Sequence, residues 1–127
     1  MSKTHQQYIG RWGETVAAYY LESRGYQVLE RNVRTPHGEI DLIARQEKIG
    51  GLVFVEVKTR TNDAFGLPEE AVDTKKLDHL FLAAEAYLST HPEQAALPWR
   101  IDVIAIQGKP GEKVENVGIE HFENISA

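Results

Sequence analysis

Residues Gly38 to Arg60 read GEIDLIARQEKIGGLVFVEVKTR, two apolar runs joined by a polar segment that ends in Gly50-Gly51. A glycine pair between two strand-like runs is hairpin chemistry, so the spacing predicts strands over about Glu39–Arg45 and Leu52–Arg60, closed by the Gln46–Gly51 loop. Pairing Arg45 with Leu52 fixes the register: Asp41 then faces Glu56, and Glu39 faces Lys58. With a side-chain period of two, all four groups share one face. The second strand is apolar on both faces until Glu56, which places it centrally in a sheet.

N-terminal to this stretch, Ile9, Trp12, Val16 and Tyr20 recur at helical spacing over about Tyr8–Arg24, and Gly25 supplies the stop. Gly10 and Gly13 lie near one face of that helix, where small residues let a backbone approach closely. Tyr26–Arg34 has strand character and is followed by the turn Thr35-Pro36-His37-Gly38. Beyond the hairpin comes a loop with Gly66 and Pro68. Leu77, Leu80, Ala84, Tyr87 and Leu88 then outline a second amphipathic helix that His91-Pro92 ends. Trp99–Ile106 is a further strand, and Val117–Phe122 a weaker edge strand after the turn at Gly108–Gly111. The order is αβββαβ with a short tail, an α/β fold in which a central mixed sheet is flanked by helices, and residues 1–127 are expected to form one domain.

The chemistry lies in the acids that interrupt these apolar strands. Two carboxylates held about 4 to 5 Å apart repel by a few kcal/mol at an effective dielectric near ~20, and burial raises that cost. Such a pair needs a cation. Lys58 answers part of that need, while facing oxygen donors also describe a Mg²⁺ or Mn²⁺ site. Glu14, at the border of the first helix's apolar face, can reach the same sheet end. Phosphodiester hydrolysis requires a cation that polarises phosphate and activates water, together with a further positive group. The expected roles follow: Asp41 and Glu56 hold the metal with the Val57 carbonyl, Glu14 adds an outer or additional metal contact, and Lys58 serves the attacking water and the transition-state charge.

These strings resemble the PD-(D/E)xK nuclease superfamily, with Asp41 as the leading acid and Glu56-Val57-Lys58 as the tripeptide; Ile40 replaces the proline of the superfamily's name. GRWGE (Gly10–Glu14), GEIDLIA, FVEVKTR, Phe65-Gly66 and RIDVIAI (Arg100–Ile106) are similar to the YraN family, bacterial proteins that resemble archaeal Holliday-junction resolvases. The resemblance covers nearly the whole chain. It implies a restriction-endonuclease-like core, a divalent metal, and branched or otherwise structured DNA as partner, with Glu14, Asp41, Glu56 and Lys58 at the active positions. A metal-dependent DNA endonuclease is the leading expectation, and a homodimer would suit cutting two strands. A catalytically silent nuclease-fold module that binds nucleic acid or a protein partner is the alternative.

Composition limits the choice. The 127 residues contain no cysteine, which excludes thiolate nucleophiles and zinc–cysteine sites and suits a cytoplasmic protein. The N-terminus MSKTHQQYIGRWGE has no apolar stretch of signal-peptide length, so no membrane partner is expected. The formal net charge of −5 opposes non-specific binding to nucleic acid and favours the silent module, unless bound metal reverses the local field. Arg11, Arg34, Arg60, Lys75 and Lys76, with Arg31, are the candidate phosphate-binding rim. Glu39 reads as a structural partner of Lys58 or an arginine, Trp12 and Trp99 as core anchors, and Asp102 as a structural partner of helix or loop groups. The five histidines read as surface residues, with His37 nearest the acids.

Overall fold

A computed structural model of the protein describes residues 3–61 and 73–125. The Gly66, Pro68 and Phe65-Gly66 readings fall outside the described residues.

Helix α1 spans Lys3–Ser23 and begins about five residues before the apolar period does, because a helix can extend through polar residues that carry no apolar period. Gly25 ends it at φ +87°, a left-handed stop that costs glycine nothing. Strands β1 (Tyr26–Thr35), β2 (Gly38–Gln46) and β3 (Gly51–Arg60) follow. Helix α2 (Thr74–Ser89) is capped by Asp73, whose carboxylate accepts from the backbone N–H groups of Lys75 and Lys76. A single turn of helix, α3 (Pro92–Ala95), uses Pro92 at its first position. Strand β4 (Trp99–Gln107), a 3₁₀ turn at Val114–Asn116 and strand β5 (Gly118–Phe122) complete the order.

The strands form one mixed sheet in the order β1-β2-β3-β4-β5. Only β3 and β4 run parallel, joined by the crossover that contains α2; the other pairs are antiparallel. β3 is central, and Arg45 does pair with Leu52. Ile43, Leu52, Phe54 and Ile101 pack with Leu80, Ala84, Tyr87 and Leu88 of α2. Leu42, Ala44, Val53, Val55, Ile104 and Ile106 pack with Ala17 and Leu21 of α1 on the opposite face. Each such buried aliphatic or aromatic side chain contributes about 1.5–3 kcal/mol. Trp99 packs edge-on to Phe54 at 5.6 Å and Trp12 joins the α1 layer, both as core anchors. This is the layered arrangement of a restriction-endonuclease-like core.

Of the two helix glycines expected to allow close approach, Gly13 does so and Gly10 does not. Gly13 is buried against β3, and a methyl there would overlap the Thr59 side chain, so α1 lies close to the sheet at that residue. Gly10 has open space where its Cβ would be, and no close approach requires it. No helix among the described residues is long and apolar enough to cross a membrane.

Candidate metal and phosphate site

The β2–β3 ladder runs from Gln46↔Gly51 to Leu42↔Val55 and its recorded pairs stop one residue short of Asp41 and Glu56. Instead of continuing the backbone pairing, the Asp41 carboxylate accepts the Val57 N–H at 2.8 Å. The simple pleat therefore does not extend to a Glu39–Lys58 pair; Glu39 lies 3.8 Å from Arg34, its cross-strand neighbour in β1, in an exposed contact. β2 also loses its alternation here. Leu42 and Ala44 belong to the α1 layer, whereas Ile40 packs with Ile43 in the α2 layer. One shared face is thus replaced by a splayed sheet end, entered from both sides.

Alternation along β3 carries Glu56 and Lys58 to the α2 side, following Leu52 and Phe54. Glu56 lines a cavity of about 170 Å³ with His37, Gly38, Glu39, Lys76, His79 and Leu80. Glu14 approaches from α1. Its side chain is 13% exposed, and its Oε1 is buried with no hydrogen-bond partner, 3.9 Å from the Arg31 guanidinium. A strand residue turns its N–H and C=O to the same side, so the Val57 carbonyl faces the side where Asp41 sits, beyond the last β2–β3 pair.

The electrostatics register how closely these groups meet. Burial pushes the Glu56 carboxyl up from 4.5 to about 8; Asp41, within hydrogen-bonding reach, adds to the rise, and Lys58 and Lys76 offset part of it. Glu14 is raised by burial first and by Asp41 next, while Asn32 and Arg31 favour its charged form. Burial lowers Lys58, and Lys76 beside it lowers it further, against the pull of Glu56. The structure therefore brings together Glu14, Asp41, Glu56, Lys58 and Lys76, with Arg60 close enough to act on Lys58. Arg11 and Lys75 are exposed, and no described contact joins either to the acids. His37 does lie at the cavity. His79 was not anticipated there, although its place three residues after Lys76 on one helix face was the available signal.

The donor set suits a hard divalent cation. It offers carboxylate oxygens, one of them buried and unpartnered, and a carboxyl that burial and the neighbouring Asp41 push up. The sign of the linkage gives a test without metal. A carboxyl raised from 4.5 to about 8 supports folding fully below its unfolded pKa, and that support is lost as pH rises through 8. Glu56→Gln is therefore expected to melt about 5 °C above the parent in chelator above pH ~8, with little difference near pH ~5. Equal melting curves at both pH values would show that Glu56 carries no such penalty.

A second acidic grouping lies at the other sheet edge. Asp102, His121 and Glu123 present ligand atoms within 4.8 Å of one another, a geometry that could hold a metal ion. Its lone pairs are already engaged. Asp102 Oδ1 accepts from Arg100 Nε at 3.0 Å and the Asn124 N–H at 2.9 Å; Oδ2 accepts from Arg100 Nη2 at 3.2 Å and His121 Nε2 at 2.7 Å. Arg100 supplies the cation, so the cluster is a closed ion-pair network. His121 is not a surface residue: its side chain is 8% exposed, and Nδ1 meets the Tyr20 hydroxyl at 3.1 Å.

Comparison with known proteins agrees across the chain. Residues 13–106 match the family described as "Uncharacterised protein family UPF0102". A UPF0102 protein of Roseiflexus castenholzii is 45% identical over 114 residues, covering 90% of this chain and 89% of its own. One from Syntrophotalea carbinolica is 44% identical with 90% and 87% covered, and one from Caldanaerobacter subterraneus is 40% identical with 98% of both chains covered. With the sheet order, the acid cluster and this similarity in agreement, the chain belongs to the UPF0102 family, the YraN family of its sequence motifs.

Proposed function

We propose that this chain is a divalent-metal-dependent DNA endonuclease that hydrolyses a phosphodiester, with branched or otherwise structured DNA as its substrate. The observation that supports it most is the meeting of Asp41, Glu56 and Glu14 at one splayed sheet end, with Lys58 two residues beyond Glu56. Asp41, Glu56 and the Val57 carbonyl would hold Mg²⁺ or Mn²⁺, with Glu14 as a further contact. A cation held there would supply phosphate polarisation and a lowered pKa for water. Lys58 orients the attacking water and offsets charge on the phosphate during in-line displacement. Lys76, contributed by α2, adds positive charge beside Lys58, where a phosphate can bridge two ammonium groups that otherwise repel. Paired cuts on opposite strands call for two copies, so a homodimer belongs to the proposal.

The acidic surplus, 19 Asp and Glu against 14 Lys and Arg, favours a second reading: a module that keeps the nuclease core and binds nucleic acid or a protein without hydrolysis. One experiment separates them. Parent, Asp41→Asn and Lys58→Ala proteins are incubated with forked, flapped and four-way DNA in Mg²⁺ or Mn²⁺. Cleavage by the parent alone supports the enzyme, whereas binding without cleavage in all three supports the module.

A further inference from the structure

The outer face of α1 carries two bare aromatic rings. Tyr8 is 61% exposed and Tyr19 71%, whereas Tyr20 turns inward to the α1 layer and meets His121. At about 100° per residue, Tyr8, Arg11, Thr15, Tyr19 and Glu22 fall within about 80° of one another and form a single stripe. From Tyr8 to Tyr19 it runs about 16 Å, long enough for several nucleotides. Glu14 borders it, three residues after Arg11 and four before Ala18.

Beside the stripe, α1 and β1 frame a cavity of about 270 Å³, lined by Thr15, Ala18, Tyr19 and Glu22 from the helix and by Val28 and Arg31 from the strand. Arg31 joins this cavity to the acids. Its Nη2 donates to Thr15 Oγ1 at 3.1 Å and lies 3.9 Å from Glu14 Oε1, while its side chain stays 38% exposed, so the guanidinium is held in place and still open to a phosphate.

The kind of partner follows from these groups. An exposed tyrosine ring stacks on a base of any sequence, provided that the base is unpaired and its face uncovered. Only Ala18 and Val28 in the cavity are aliphatic, too little for the apolar centre that a protein partner would bury. Glu22 ends the stripe at the side away from Arg11, and its charge turns a phosphate backbone on Tyr19 back toward Arg31 and Glu14.

We infer that Tyr19 and Arg31, extended along α1 by Tyr8 and Arg11, form a docking surface for unpaired nucleotides of DNA, with a base stacked on Tyr19 and its phosphate on Arg31. What becomes of that strand rests on the activity proposed above; its capture does not.

The test is fluorescence anisotropy on the whole protein in chelator and low salt, with dye-labelled oligothymidine and a duplex of the same length. The parent is expected to bind the single strand more tightly than the duplex. Tyr19→Ala should weaken single-strand binding about tenfold and leave duplex binding unchanged, while Tyr19→Phe, which keeps the ring, should bind as the parent does. Arg31→Gln should reduce the slope of log affinity against log salt by about 0.7 for the single strand, the loss of one phosphate contact. Parent-like single-strand binding by Tyr19→Ala, an equal loss on both DNAs, an unchanged salt slope in Arg31→Gln, or a parent that binds neither DNA would each overturn the inference. A parent that binds the single strand through Tyr19 but cleaves no DNA in Mg²⁺ would sink the nuclease reading and leave this surface supported.

Discussion

The Asp41→Asn protein is expected to fold and melt no lower than the parent, yet to lose DNA cleavage in Mg²⁺ by at least about a hundredfold. The two halves of that result have separate causes. The asparagine carbonyl can still accept the Val57 N–H that Asp41 Oδ2 accepts at 2.8 Å, so the splayed strand end keeps its tie. Removing the charge also relieves both Glu56 and Glu14, each of which Asp41 raises. What is lost is the anionic oxygen that would face the cation. Circular dichroism melts beside a cleavage assay on four-way DNA check both. A folded Asp41→Asn protein that cleaves at the parental rate would remove Asp41 from the chemistry.

The largest stability effect should come from the opposite sheet edge. Asp102 is fully buried and accepts four hydrogen bonds from Arg100, His121 and the Asn124 backbone. Asp102→Ala leaves the Arg100 guanidinium, 16% exposed, with only the outlying Glu123 at 3.6 Å and the Tyr26 hydroxyl. Breaking a buried pair by removing one partner costs about 3–5 kcal/mol, a large part of the roughly 5–15 kcal/mol that holds a domain together. Burial by itself would raise the Asp102 carboxyl, but His121, the Asn124 N–H and Arg100 outweigh it and hold it below the usual 3.8. A depressed carboxyl stabilises above its unfolded pKa and ceases to as pH falls through the folded one. The deficit of Asp102→Ala in urea midpoints should therefore be full at neutral pH and shrink below pH ~4. A deficit under about 1 kcal/mol at neutral pH would show that the network contributes little.

These two ends of the sheet differ in how far they could be read from sequence. The hairpin register was legible because Gly50-Gly51 marks the closing turn and because only an even register keeps the acids of both strands on one face. That register brought Asp41 and Glu56 together, and the ExK spacing supplied Lys58. The interruption was not legible. A left-handed asparagine has no pattern of its own, so the break at Asn32, which sits in β1 at φ +53°, and at Asp41, which replaces a pleated face with an open sheet end, was invisible. The same holds for Lys76: its distance from Lys58 depends on how α2 crosses the sheet, which periodicity does not specify.

At the other edge, an acid within the apolar run RIDVIAI signalled a buried partner, since a buried charge must be paired. The partner was expected on a helix or loop. The loop after β5 does supply the Asn124 N–H, but the charged partners are Arg100 on the same strand and His121, which edge strand β5 brings beside Asp102. A lone histidine in a weakly apolar strand reads as surface until its neighbour strand is known. Short elements such as α3 and the 3₁₀ turn are too brief to carry a period.

Glu14, Asp41 and Glu56 are expected to share one divalent cation. Crystals grown in Mn²⁺ and measured for anomalous scattering test it most directly. A single strong peak among the Asp41, Glu56 and Glu14 oxygens, within about 2.0–2.4 Å of at least two of them, is the predicted result. An empty sheet end, or a peak at Asp102, His121 and Glu123 alone, would contradict it.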